Sequence, residues 1–141
     1  MTRKILLGVL FLLSCAFVAV SAFAHHGFQA EFDGSRLIYV KGTLTKFEWE
    51  NPHMFLYLDS TDASGKVTAW QFEGASPTVV KRTGTYREDL IANVGKTITV
   101  RACPAKDGTN RGAAETIKVP DGRELVVGGK RYFGNGKEGD Q

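Results

Sequence analysis

The sequence predicts an all-β protein, a small five-stranded OB-like barrel with one short helix between strands 3 and 4, behind an N-terminal signal peptide. Three observations predict it. Short apolar stretches separated by turn signals recur from Leu37 onward, which is the pattern of a chain built from strands. A long first strand carries a glycine, Gly42, in its middle, where a bulge can turn the corner of a barrel. One helical start, Ser76-Pro77, interrupts the series between the third and fourth strands. A small β-sandwich shares the strand count and is the rival topology.

In chain order, the first 24 residues come before the fold. Arg3 and Lys4 precede an apolar run broken only by glycine, serine and cysteine, and Ala22-Phe23-Ala24 ends it directly before His25. That layout is a cleavable secretory leader, so the protein is expected to be periplasmic or secreted. An uncleaved anchor is the alternative, since about 20 apolar residues span a bilayer; lipidation at Cys15 is a weaker one, because Leu12-Leu13-Ser14-Cys15 is followed by more apolar chain. Cleavage removes two basic groups and no acidic ones, which takes the formal +3 of the whole chain close to neutral. A near-neutral domain lacks the basic surface that nucleic acid requires, so no nucleic-acid partner is expected. No stable membrane insertion is expected after cleavage. Cys103 is then the last cysteine, no internal disulfide can form, and stability rests on the core.

Residues 25–36 mix aromatic and acidic side chains without a clean period and read as an N-terminal arm in extended form. The barrel domain spans 37–127, with strands at 37–49, 53–59, 67–73, 97–103 and 113–119 and a short hairpin arm at 124–127. Turn chemistry punctuates them: Asn51-Pro52, Asp62-Ala63-Ser64-Gly65, Asp107-Gly108 and Asp121-Gly122. The helix runs from the Ser76-Pro77 start to about Arg82, with a further turn around 87–91. The tail, 128–141, is glycine-rich, has few apolar groups and is expected to be disordered.

Alternation along strands assigns faces. Met54, Leu56, Leu58, Trp70, Phe72, Ile98, Val100, Ile117 and Val119 form a consistent interior, which turns His53, Phe55 and Tyr57 outward together with Gln71 and Glu73. Exposed aromatic area is unfavourable by about 25 cal/mol per Å², so this outer face calls for a cover. The arm, through Phe28 and Phe32, is one candidate; a partner or ligand is the other.

The chain has three histidines, His25, His26 and His53. Cleavage after Ala24 frees an α-amine on His25, and amine plus ring nitrogen of that residue with the ring of His53 make a three-nitrogen brace, a donor set suited to Cu(II) and less selectively to Zn(II) or Ni(II). His26 is a spare or alternative ligand, and Glu31, Asp33 and Glu50 are carboxylates without diagnostic spacing. The competing reading has His53 capping the Asn51-Pro52 turn. Cleavage after Ala22 would instead start the chain Phe23-Ala24-His25, which chelates metal through amine, amides and a third-position imidazole.

Other chemistry is weaker. Glu48 and Glu50 alternate around Trp49, as acid and base pairs do in glycoside cleavage, but strand-end charges are the simpler reading. The chain has no G-x-S-x-G elbow, no C-x-x-C, no H-E-x-x-H and no phosphate-binding glycine loop. No catalytic residue is expected.

The chain resembles a family of small exported bacterial proteins classified as a domain of unknown function. The resemblance rests on His25-His26-Gly27-Phe28, Glu31-Phe32-Asp33, Gly42-Thr43-Leu44-Thr45-Lys46, Trp49-Glu50-Asn51-Pro52-His53, Trp70-Gln71-Phe72-Glu73-Gly74, Ala105-Lys106-Asp107-Gly108 and Pro120-Asp121-Gly122-Arg123 followed by Leu125. It implies export and a small β-barrel and carries no assigned activity. This chain has Gly27 where members often carry serine. The expectation is therefore a non-enzymatic envelope protein holding copper through His25, His26 and His53. The alternative is a module that binds a small ligand or another envelope protein on a face comprising Phe55, Tyr57, Trp49 and Glu50. A copper-dependent oxidase is a distant third, since so short a chain leaves little surface for a shaped substrate cleft.

Overall fold

The computed structural model describes Gly27 and residues 30–129. The leader, His25, His26, Phe28 and the tail from residue 130 lie outside the described residues. The chain divides at Glu31/Phe32 into two units, and the second holds the barrel.

Six strands follow one another as β1 (Ile38–Glu48), β2 (Phe55–Thr61), β3 (Val67–Glu73), β4 (Thr97–Pro104), β5 (Arg111–Lys118) and β6 (Glu124–Val126), with helices α1 (Pro77–Arg82) and α2 (Arg87–Ile91) between β3 and β4. The expected strands are all present, and the second helical turn is a separate helix. The sheet order is β3-β2-β1-β4-β5-β6. A parallel pairing of Gln71, Phe72 and Glu73 with Arg111, Gly112 and Ala113 closes strands 1 to 5 into a barrel, the OB-like topology expected from the strand series.

β1 serves both halves of that barrel. Ile38 to Thr43 pair with β4, and Thr43 to Glu48 pair with β2. The corner differs from the expectation in one respect. The register slips between Leu44 and Lys46, so the bulge lies at Thr45, whose hydroxyl donates to the Tyr57 carbonyl at 3.1 Å. Gly42 has another function: a Cβ there would lie 2.6 Å from the Asp59 carbonyl oxygen, so only glycine admits the β2 backbone this close.

The interior is the one that alternation predicts. Leu44, Met54, Leu56, Leu58, Phe72, Ile98, Val100, Ile117 and Val119 are buried, while Trp70 is partly buried and packs against them. Val80 of α1 and Leu90 of α2 join the same core with no exposed surface. Short as it is, α2 is held at both ends of its first turn: Asp89 accepts the Tyr86 N–H at 2.9 Å and the Arg123 guanidinium at 2.9 Å, which ties the helix to the β5–β6 hairpin. The β2–β3 turn closes on Asp62, which accepts the N–H groups of Ser64 and Lys66 at 2.8 and 3.0 Å, with Gly65 at φ 85°.

Two segments depart from the extended arm and tail. Gly27, Ala30 and Glu31 are helical; extended chain begins at Phe32, which is buried and bridges antiparallel to Ala105, while the Asp33 N–H donates to Pro104. Gly128 and Gly129 are buried, and the Gly128 N–H donates to Glu115.

Cys103 is buried in β4, and burial, followed by the charges of Glu115 and Asp33, pushes its thiol up to about 11. A thiol needs exposure and a cationic neighbour to react. A disulfide reagent at mildly alkaline pH is therefore expected to leave the folded protein unlabelled and to titrate Cys103 once denaturant is added. Rapid labelling of the folded protein would contradict this placement.

Candidate functional site

The outer face of β1, β2 and β3 assembles most of the residues singled out from sequence. Cross-strand register places Tyr57 between Lys46 and Gln71, and Phe55 between Glu48 and Glu73. These are directly opposed positions, close enough for side chains to touch. Phe55 and Tyr57 are half-buried.

His53 comes just before β2, after the Asn51-Pro52 turn. Its Nδ1 meets the Glu73 carboxylate, and both side chains keep about a third to a quarter of their surface exposed, 34% and 26%. Glu73 stands on the next strand, opposite Phe55. The register of β2 and β3 is thus what brings this pair together, and a one-residue slip would turn Glu73 into the core.

The cover expected over the aromatic face comes in part from β1. The Lys46 ammonium lies 5.0 Å from the centre of the Tyr57 ring, a cation–π distance, and donates to Glu48 at 2.6 Å. Lys46 holds the Glu48 carboxyl below the usual range, and Glu48 raises the Lys46 ammonium in turn. Burial, then the Glu48 charge, raises the Tyr57 phenol. Glu48 is therefore committed to Lys46 and Tyr57. Lys46 escaped sequence reasoning, although alternation puts it on the same face as Glu48.

Other candidates are dispersed. Trp49 is partly buried and packs against the core, and Glu50 is exposed beyond the end of β1. Phe32 meets Ala105, at the end of β4. His25 and His26 lie outside the described residues. Among the described residues there is no group of three or more histidine, cysteine or acidic side chains that could hold a metal ion; His53 and Glu73 are a pair. The face thus offers one carboxylate-bound imidazole, two aromatic rings and a Lys–Glu–Tyr cluster. Chemically, it can contribute a nitrogen ligand to a metal completed from elsewhere, or stack a flat ligand beside charged groups.

One family model matches residues 12–114, nearly three quarters of the chain, and its description is a family of unknown function. No curated protein and no solved structure matches the chain.

Proposed function

The chain belongs to the family of unknown function DUF6152, and from that premise we propose that it is an exported, non-enzymatic barrel that captures Cu(II). In this reading His53, just before β2, is one ligand, His25 contributes its α-amine and ring, and His26 is the alternative imidazole. Capture and delivery of the metal in the envelope is the mechanism, since open coordination positions permit transfer. The leader-like residues 1–24 and the alanine directly before His25 support export and the free amine.

The observation that carries the reading is the His53–Glu73 contact. Ligating histidines commonly give one ring nitrogen to a carboxylate, which fixes the tautomer and strengthens the other nitrogen as a donor. With Nδ1 on Glu73, the metal falls to Nε2. Imidazole and amine nitrogens suit Cu(II), and binding must displace protons from them, so affinity falls as pH is lowered.

Cu(II) titration of protein starting at His25 tests it. His53→Ala is expected to abolish high-affinity binding, as is chemical blocking of the α-amine, and Glu73→Gln to weaken it by about 10- to 100-fold, the usual effect of losing such a support. Unchanged affinity in His53→Ala would remove the brace.

A second reading rests on Phe55 and Tyr57, whose rings form a half-covered surface beside Lys46 and Glu48. Here the face binds a small ligand or an envelope protein without metal. It expects Tyr57→Ala, rather than His53→Ala, to lose the partner that copurifies with the wild type.

A further inference from the structure

We infer that a second groove, on the outer faces of β1, β4, β5 and β6, binds a small acidic saccharide. The groove holds about 290 Å³ and is lined by Tyr39, Thr99, Arg101, Thr116, Lys118 and Glu124. That volume lies just below the roughly 300–1,000 Å³ of small-ligand sites, which favours a small ligand over a macromolecule. β2 and β3 contribute nothing to it, so it is separate from the His53 face.

Register shows how it is built. Tyr39, Arg101 and Thr116 are opposed across β1, β4 and β5, and Thr99, Lys118 and Glu124 across β4, β5 and β6. Two rows of three side chains thus stand on one face, two residues apart along β4 and β5.

Arg101 is the anchor. Its side chain is 22% exposed, and its Nε lies 3.2 Å from Glu115 Oε2. The pair attracts by charge but is misaligned for a hydrogen bond, and both atoms are buried without a hydrogen-bond partner among the described residues. Glu115 occupies a slip in the β4–β5 register, where its carbonyl accepts the N–H groups of Val127 and Gly128. Arg101 is held in place by charge at its buried Nε, and the surface that its side chain keeps on the groove lies on its other atoms. A carboxylate is the planar acceptor that a guanidinium fork matches.

The rest of the lining fits a sugar. Tyr39 is 65% exposed, a flat ring that can lie against the C–H face of a pyranose. Thr99 offers a hydroxyl that can both donate and accept, while Thr116, whose proton goes to Glu124, offers an acceptor. Thr116 donates to Glu124 at 2.5 Å, which steadies a carboxylate able to accept from ligand hydroxyls. Lys118 adds a cation at the rim. With Glu115 offsetting Arg101 and Glu124 offsetting Lys118, the groove is nearly balanced in charge; a multiply charged phosphate would face both carboxylates, whereas one carboxylate on a polyhydroxylated ring uses every group present.

The test is titration of the folded chain, with a chelator present, by methyl galacturonoside, which carries one carboxylate, and by its neutral counterpart, methyl galactoside, followed by amide chemical shifts and calorimetry. Saturable binding of the acidic sugar is expected, with shifts on β4 and β5 and binding at least about tenfold weaker for the neutral one. Tyr39→Ala, at an exposed position, and Arg101→Lys, which keeps a charge opposite Glu115 but loses the fork, are each expected to weaken binding about tenfold. His53→Ala should leave it unchanged. Absence of saturation at millimolar methyl galacturonoside, equal binding of the neutral sugar, indifference to both groove variants, or shifts confined to β2 and β3 would each overturn the inference.

Discussion

Phe72→Ala is expected to destabilise the protein by about 3–5 kcal/mol, the usual cost of removing a buried aromatic ring. The ring has no exposed surface. It stacks on Trp70 with centroids 5.6 Å apart and planes 4° from parallel, and it presses on Gly112 so closely that a Cβ there would lie 3.0 Å from it. Phe72 pairs with Leu56 on one side and Gly112 on the other, so it sits in the short parallel seam that closes the barrel. Its neighbours Gln71 and Glu73 belong to the same seam, and Glu73 holds His53. Loss of the ring therefore acts on the site as well as on the core. With total stabilities of about 5–15 kcal/mol usual for a domain, much of the margin is lost. Urea denaturation should show a midpoint shifted far down with little change in slope; a loss below about 1 kcal/mol would mean that Phe72 does not close the barrel.

Gly42→Ala is expected to be nearly as damaging, at about 3 kcal/mol, the upper part of the range for overpacking. The added carbon would meet Asp59 O at 2.6 Å, Asp59 C at 2.9 Å and Ser60 N at 3.1 Å. All three are backbone atoms of β2, so no side-chain rotation relieves the contact, and one strand must move where β1 passes from β4 to β2. A thermal melt should show the midpoint lowered by roughly 10 °C or more. A midpoint within a degree or two of wild type would show that β1 and β2 can separate at this point without penalty.

Gly42 also shows what was legible in the sequence and what was not. A glycine inside a long alternating strand marks a special backbone position, and the barrel corner is indeed nearby. Sequence alone does not separate the two uses of such a glycine, however. Here it admits a neighbouring strand, while the bulge falls on Thr45, a β-branched residue with the composition of ordinary strand, stabilised by a bond to the Tyr57 carbonyl. The interior was readable because alternation is local: Met54, Leu56 and Leu58 face inward whatever the rest of the chain does. The outer face was half readable for the same reason. His53, Phe55, Tyr57 and Glu73 share it by parity, but the Glu73 contact and the Lys46 cover depend on pairing register between strands, which is a tertiary property. Phe32 shows the limit from the other side. Its aromatic character signalled docking, and its partner Ala105 lies more than seventy residues away, at a strand end that carries no complementary pattern. The second groove was invisible, since Tyr39, Arg101 and Lys118 read singly as solvated positions on three different strands.

Copper capture through a free His25 and a carboxylate-bound His53 is the central claim, and it requires a particular chain end. The direct measurement is intact mass and N-terminal sequencing of the protein as its native host exports it, followed by Cu(II) titration of the same material. The account predicts a chain beginning at His25 that binds a single equivalent of copper tightly and loses it when the α-amine is blocked. A retained leader, a start at Phe23, or a His25 start that leaves copper in solution would contradict it.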